Sequence, residues 1–250
     1  MKRIQLAAQT GQVACHITNV SVFPAETFSL ACPEAVGDSS GPLWYRDLHP
    51  TWSQGNDGDW ISTGGKTGVA SYRLTLTPTE DAVRCEIEIT NLGEKAWRQG
   101  MAFNSFQCGS APSIRDHECA RHWIRSGGKF KRLWELPRVF GPRPSIQLYS
   151  VEGAPPGREI PFVQNFQATP DAVIEPWMAI VSRDGKRLVA TTVNPGLFLF
   201  QNREYACMNC GLQFGTVNPG QSARATNVIY FVEDRLEAWH ERMQKDLAAI

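Results

Sequence analysis

Residues 83–90 alternate apolar and polar side chains without a break. A period of two is the signature of a β-strand with one dry face and one wet face. The same alternation runs through residues 69–77, and Thr77-Pro78-Thr79-Glu80-Asp81 between the two stretches predicts a hairpin. Further on, residues 177–182 and 187–193 flank Arg183-Asp184-Gly185-Lys186. Asp-Gly is a strong hairpin signal because both central residues tolerate positive φ. Only the last segment has helical spacing, with Leu236, Trp239, Met243 and Leu247 three and four apart and Asp234 and Glu237 at capping-box distance. With no repeat or linker to divide the chain, the expectation is one all-β domain over residues 1–250. It is a large antiparallel β-sandwich carrying a C-terminal amphipathic helix at 234–248.

At 250 residues such a domain can bury roughly 75% of its unfolded surface, so disulfides are not needed for stability. Seven cysteines, an odd number in a mid-sized chain, read as reduced thiols and point to a cytoplasmic setting. Lys2 and Arg3 precede a stretch broken by Gln5 and Gln9, so no signal peptide is visible. Basic and acidic residues balance at 25 each, leaving no cationic field for nucleic acid or an anionic membrane. Nothing approaches the ~20 consecutive apolar residues of a membrane span.

Residues 33–66 and 127–145 read as long irregular segments, the kind that carry function or stay disordered. The first holds Trp44, Tyr45, Asp47, His49, Trp52, Asn56, Asp57 and Trp60. Aromatic faces pack on the C–H face of a sugar while neighbouring polar groups bond its hydroxyls, so Trp44, Trp52 and Trp60 are candidate sugar platforms. The alternative is that these rings turn inward as a small core. The strand-like run 101–108 adds Asn104 and Gln107 as candidate hydroxyl ligands.

A second cluster runs from Arg115 through Asp116, His117, Glu118, Cys119 and Arg121 to His122 and Trp123. An imidazole beside carboxylates can serve as general acid or base. His122 is the expected proton carrier, with Asp116 or Glu175 as its carboxylate partner; a structural histidine is the competing reading. The third cluster lies within residues 202–215. Asn202, Arg203, Asn209 and Gln213 are candidate orienting groups, and Arg121 and Arg203 are candidate binders of an anionic or hydroxyl-rich substrate, because a guanidinium fork holds a carboxylate at two points. Cys207 and Cys210 form one C-x-x-C, half of a zinc site that Cys119, His117 and His122 could in principle complete. Two half-buried thiols on a strand are the preferred reading, so no metal and no cofactor is expected. G-x-S-x-G, phosphate-cradling, dinucleotide and H-E-x-x-H motifs are missing, which disfavours α/β-hydrolases, kinases, common dehydrogenases and zincins.

Residues 83–91 leading to Trp97, and Asn218-Pro219-Gly220-Gln221-Ser222 before a final strand and helix, resemble the galactose-mutarotase-like group of bacterial β-sandwich proteins. The resemblance implies a sugar-binding cleft on one concave sheet and, in catalytic members, a histidine acid with a carboxylate base. Similar sequences carry Cys-x-His near Cys207, where this chain has Cys207-Met208-Asn209. Asn209 can bond a hydroxyl but cannot exchange protons near neutrality. The expected function is a carbohydrate-active protein, acting on a sugar or oligosaccharide by lyase, epimerase or hydrolase chemistry. The alternatives are a non-catalytic sugar-binding or assembly module and a metalloprotein built on Cys207 and Cys210.

Overall fold

A computed structural model describes residues 3–38, 41–137, 146–155 and 168–248. Two nine-stranded sheets dominate these residues. The first runs β1 (Gln5–Ala8), β2 (Ala14–Thr18), β3 (Phe28–Asp38), β9 (Trp97–Gln107), β17 (Cys207–Val217), β16 (Gly196–Asn202), β12 (Ile146–Val151) and β13 (Ala168–Ile174), with β4 (Gly41–Trp44) paired to β3. The second runs β11 (Lys129–Arg132), β10 (His122–Ser126), β14 (Trp177–Val181), β15 (Leu188–Asn194), β18 (Ser222–Val232), β8 (Ala82–Asn91), β7 (Ala70–Pro78), β6 (Trp60–Lys66) and β5 (Thr51–Gln54). Among the described residues β12 and β13 pair parallel and every other pairing is antiparallel.

The alternating stretches form the elements their pattern predicts. β7 and β8 pair in unbroken register from Ala70↔Asn91 to Pro78↔Val83, and β14 and β15 close over the Asp184-Gly185 turn with Gly185 at φ 74°. Residues 33–66 are not irregular, since they finish β3 and build β4, β5 and β6. Within 127–145 the chain forms β11 and a short turn at Leu133–Glu135, and residues 138–145 lie outside the described set.

The inner faces meet in one apolar core. Phe28 and Phe106 of the first sheet contact Phe231 of the second, with ring centroids 5.0 and 5.9 Å apart. Asn104 faces this core and not a ligand: its amide donates to Asn227 Oδ1 at 3.2 Å, and Asn227 bonds Thr191 Oγ1 and the Thr192 carbonyl. A buried amide must find such partners, and this one ties the two sheets together. Trp52 is likewise a core residue, its indole N–H held by the Gln12 carbonyl at 2.8 Å and its ring set edge-on to Trp60.

The C-terminal helix, Leu236–Ala248, covers the outer face of the second sheet. Trp239 and Met243 are buried there, and Trp239 packs edge-on against Trp177 and Tyr230. The stripe read from the sequence is therefore the docking face. Glu175 fastens the same helix. It accepts from His240 Nε2 at 2.8 Å, Trp177 Nε1 at 3.0 Å and Arg125 Nη1 at 2.7 Å. All its partners are structural, so the expected catalytic role does not survive.

Candidate functional site in a groove on the first sheet

Side chains on the outer face of the first sheet line a cavity of about 370 Å³. Alternate positions of neighbouring strands supply it: Phe103, Ser105 and Gln107 from β9, Asn209 and Cys207 from β17, Asn202 and Phe200 from β16, Ile146 from β12. Phe103 and Phe200 lie parallel, 5.2 Å between centroids and 2° between planes. Both are 3% exposed and buried in an outer-face apolar cluster, while Trp44 and Tyr205, 36% and 60% exposed, stand at the rim.

Glu34 is the carboxylic acid among the lining residues, and it enters through a break in the sheet. Ala31 pairs with Ser105 and Ala35 with Phe103, so four residues of β3 span what two residues of β9 span. Such a bulge re-aims side chains, and here it delivers Glu34 to the cavity. Burial pushes the Glu34 carboxyl above the ordinary glutamate value, since a charge there loses hydration. The neighbouring Cys207 thiol is pushed up to about 11, again chiefly by burial, so it is a neutral thiol and no nucleophile near neutrality. Asn209 is 2% exposed. Its Nδ2 donates to Cys207 Sγ at 3.1 Å, while Oδ1 has no hydrogen-bond partner among the described residues. A buried acceptor facing a cavity calls for a donor there.

A second cavity of about 460 Å³ adjoins the first and shares Gln107 and Tyr205 with it. His16, Arg115, His117 and Glu204 line it. His117 Nδ1 bonds the Arg203 carbonyl. Because a carbonyl only accepts, Nδ1 carries the hydrogen and the neutral ring keeps its lone pair on Nε2.

The structure redistributes the roles read from sequence. Trp44, Gln107, Asn202 and Asn209 do line the groove. Asn202 also accepts the Glu204 N–H at 3.0 Å, and Gln107 Oε1 accepts from Ser29 Oγ at 3.1 Å. His122 and Asp116 meet, Nδ1 to Oδ2 at 2.8 Å, but the imidazole is 0% exposed and the carboxylate 6%. No substrate reaches a proton there, so the pair is a structural clamp. Burial would raise the Asp116 carboxyl, yet the His122 hydrogen bond and charge, with the Arg121 N–H and guanidinium, hold it below the usual aspartate range. Arg121 is spent on the backbone, donating to the carbonyls of Ser113, Val181, Ile114 and Arg115. Arg203 pairs with Glu118 at 2.7 Å and bonds the His117 carbonyl at 2.8 Å. Neither arginine lines either cavity. Trp60 lines a separate hollow beside Arg3 and Asp57, and Gln213 lines neither cavity. Cys207 lies on the outer face and Cys210 in the inter-sheet core, so the two thiols cannot hold one ion between them. Glu34 was missed because residues 33–66 read as one irregular segment and the bulge in β3 breaks the strand pattern; an acid set inside an otherwise apolar run was the available signal.

No protein-family model matches this sequence, and no curated protein matches it. Among solved structures, a galactose mutarotase-like protein from Lactobacillus casei ATCC 334 is similar over 93% of this chain and 98% of its own, with TM-score 0.50 at 8% identity. The GalM/aldose epimerase homologue from C. elegans matches 93% of this chain and 99% of its own, with TM-score 0.42 at 6% identity. The Slr1438 protein from Synechocystis sp. PCC 6803 matches 93% and 96%, with TM-score 0.46 at 10% identity. The likeness to the Lactobacillus protein gives the fold, a galactose-mutarotase-like sandwich.

Proposed function

We propose that this protein is a carbohydrate-active enzyme whose sugar lies in the groove of the first sheet, with Glu34 as the proton-transfer group. The observation that carries the reading is the company Glu34 keeps: a carboxyl raised by burial in a cavity walled by Gln107 and Asn202 and rimmed by the exposed rings of Trp44 and Tyr205. The exposed rings of Trp44 and Tyr205 suit the C–H face of a pyranose, and Gln107 and Asn202 suit its hydroxyls. A carboxyl raised toward neutrality can give a proton to a ring or glycosidic oxygen and take one from a hydroxyl. His117, whose Nδ1 is held on the Arg203 carbonyl, lines the adjoining cavity and is the imidazole we assign as Glu34's partner. Acid/base chemistry at an aldose or a glycosidic bond follows, of the epimerase, lyase or hydrolase kind.

The experiment is a turnover screen by polarimetry and reducing-end release over neutral sugars, uronates and their oligomers, using wild type and Glu34→Gln. Turnover in wild type that falls at least about 100-fold in Glu34→Gln, with binding retained, supports the reading. Equal turnover in both removes Glu34 from the chemistry. A second reading, a non-catalytic binding module, is favoured by the exposed rings of Trp44 and Tyr205 at the rim. It predicts that both proteins bind sugar and neither turns it over.

A further inference from the structure

The cavity beside Glu34's is the larger of the two, and its chemistry differs. The first sets aromatic rings and neutral hydrogen-bonding groups around one acid. The second gathers one guanidinium and two imidazoles: Arg115, His16 and His117. Arg115 stands apart from the other arginines of this region. Arg121 and Arg203 are engaged in internal bonds, whereas the Arg115 guanidinium has no hydrogen bond or ion pair among the described residues. The His16 ring is also without an internal partner among those residues. Glu204 is the carboxylate on the wall, and its side chain is exposed to solvent.

Arg115 is an always-charged fork with its donors free, and His117 has its Nδ1 fixed on a carbonyl. Such a site suits a planar carboxylate, which a guanidinium can hold at two points. The space exceeds what a lone anion fills, and it shares Gln107 and Tyr205 with the first cavity. Tyr205, 60% exposed and shared by both, is placed to stack between adjacent rings.

We infer that the groove has two subsites and takes an acidic oligosaccharide, one ring in the Glu34 cavity beside Trp44 and the carboxylate of the next ring, a uronate, at Arg115. The inference rests on the sugar-groove reading above and narrows its substrate class. It also separates the two parts of the groove: Glu34 serves the reacting ring, and Arg115 selects its neighbour.

Isothermal titration of the whole protein tests this with 4-linked digalacturonate and its neutral counterpart, 4-linked galactobiose. The expected result is a preference for the acidic disaccharide of at least about tenfold, shrinking as salt rises from about 0.05 to 0.5 M because surface charge is screened. Arg115→Gln brings the preference close to unity. Arg224→Gln, which removes the same charge from the opposite sheet, leaves it intact. Equal binding of the two disaccharides, or an unchanged preference in Arg115→Gln, overturns the two-subsite inference alone. Binding of neither overturns it together with the sugar-groove reading.

Discussion

Glu175→Ala separates a structural carboxylate from a catalytic one, and its cost can be worked from the contacts. The substitution strands three donors at once, on His240, Trp177 and Arg125. Trp177 and His240 are 0% and 5% exposed, so their orphaned N–H groups cannot turn to water. Each such group costs about 1–3 kcal/mol. Arg125, whose side chain is 28% exposed, recovers hydration and adds little. The sum is about 2–6 kcal/mol, which brackets the roughly 3–5 kcal/mol usual for breaking a buried pair from one side. In a chain this long that lowers Tm by roughly 10 °C. Urea unfolding followed by tryptophan fluorescence reads the loss directly, since Trp177 and Trp239 sit in the affected patch.

Glu175 also sets a pH signature. Burial alone would raise its carboxyl, but the His240 and Trp177 hydrogen bonds and the Arg125 charge bring it below the ordinary glutamate value. A depressed folded value means the stabilisation is complete above the unfolded pKa of about 4.3 and fades as pH falls toward the folded one. The gap between wild type and Glu175→Ala should therefore be widest at pH 6 and narrow as pH falls below about 4.3. A variant within about 1 kcal/mol of wild type at pH 6 refutes the clamp. So does a folded, stable Glu175→Gln that has lost all sugar turnover.

Two further predictions concern the neighbouring regions. Asp116→Asn should destabilise the fold by about 2–4 kcal/mol, by weakening the hold on buried His122 and Arg121 without touching the groove, which thermal unfolding alongside sugar titration can check. Gly211→Ala would set a Cβ 2.5–2.8 Å from the Phe198 ring, which leans on Phe103 and Phe200. It should cost about 1–3 kcal/mol of stability, read by thermal unfolding; an unchanged Tm would refute the clash.

Sequence patterns revealed elements better than faces. β7, β8, the Asp184-Gly185 hairpin and the closing helix follow from residue spacing, because each has one wet side and one dry side. In β9 the residues 100–106 are all buried, since the outer face carries its own apolar cluster around Phe103, Phe198 and Phe200. No alternation survives there to tell inward Asn104 from outward Ser105, and one residue of register decides which meets a ligand. Asp116 and His122 were recognised as partners, but adjacency in sequence carries no information on burial. Glu34 lay hidden for a third reason: its bulge interrupts the pattern that would have marked a strand.

A crystal soaked with 4-linked digalacturonate tests the central claim most directly. The account predicts one sugar ring within hydrogen-bond reach, about 3 Å, of Glu34 and the carboxylate of its neighbour at Arg115. Sugar bound instead on the outer face of the second sheet, or beside Trp60, would contradict it.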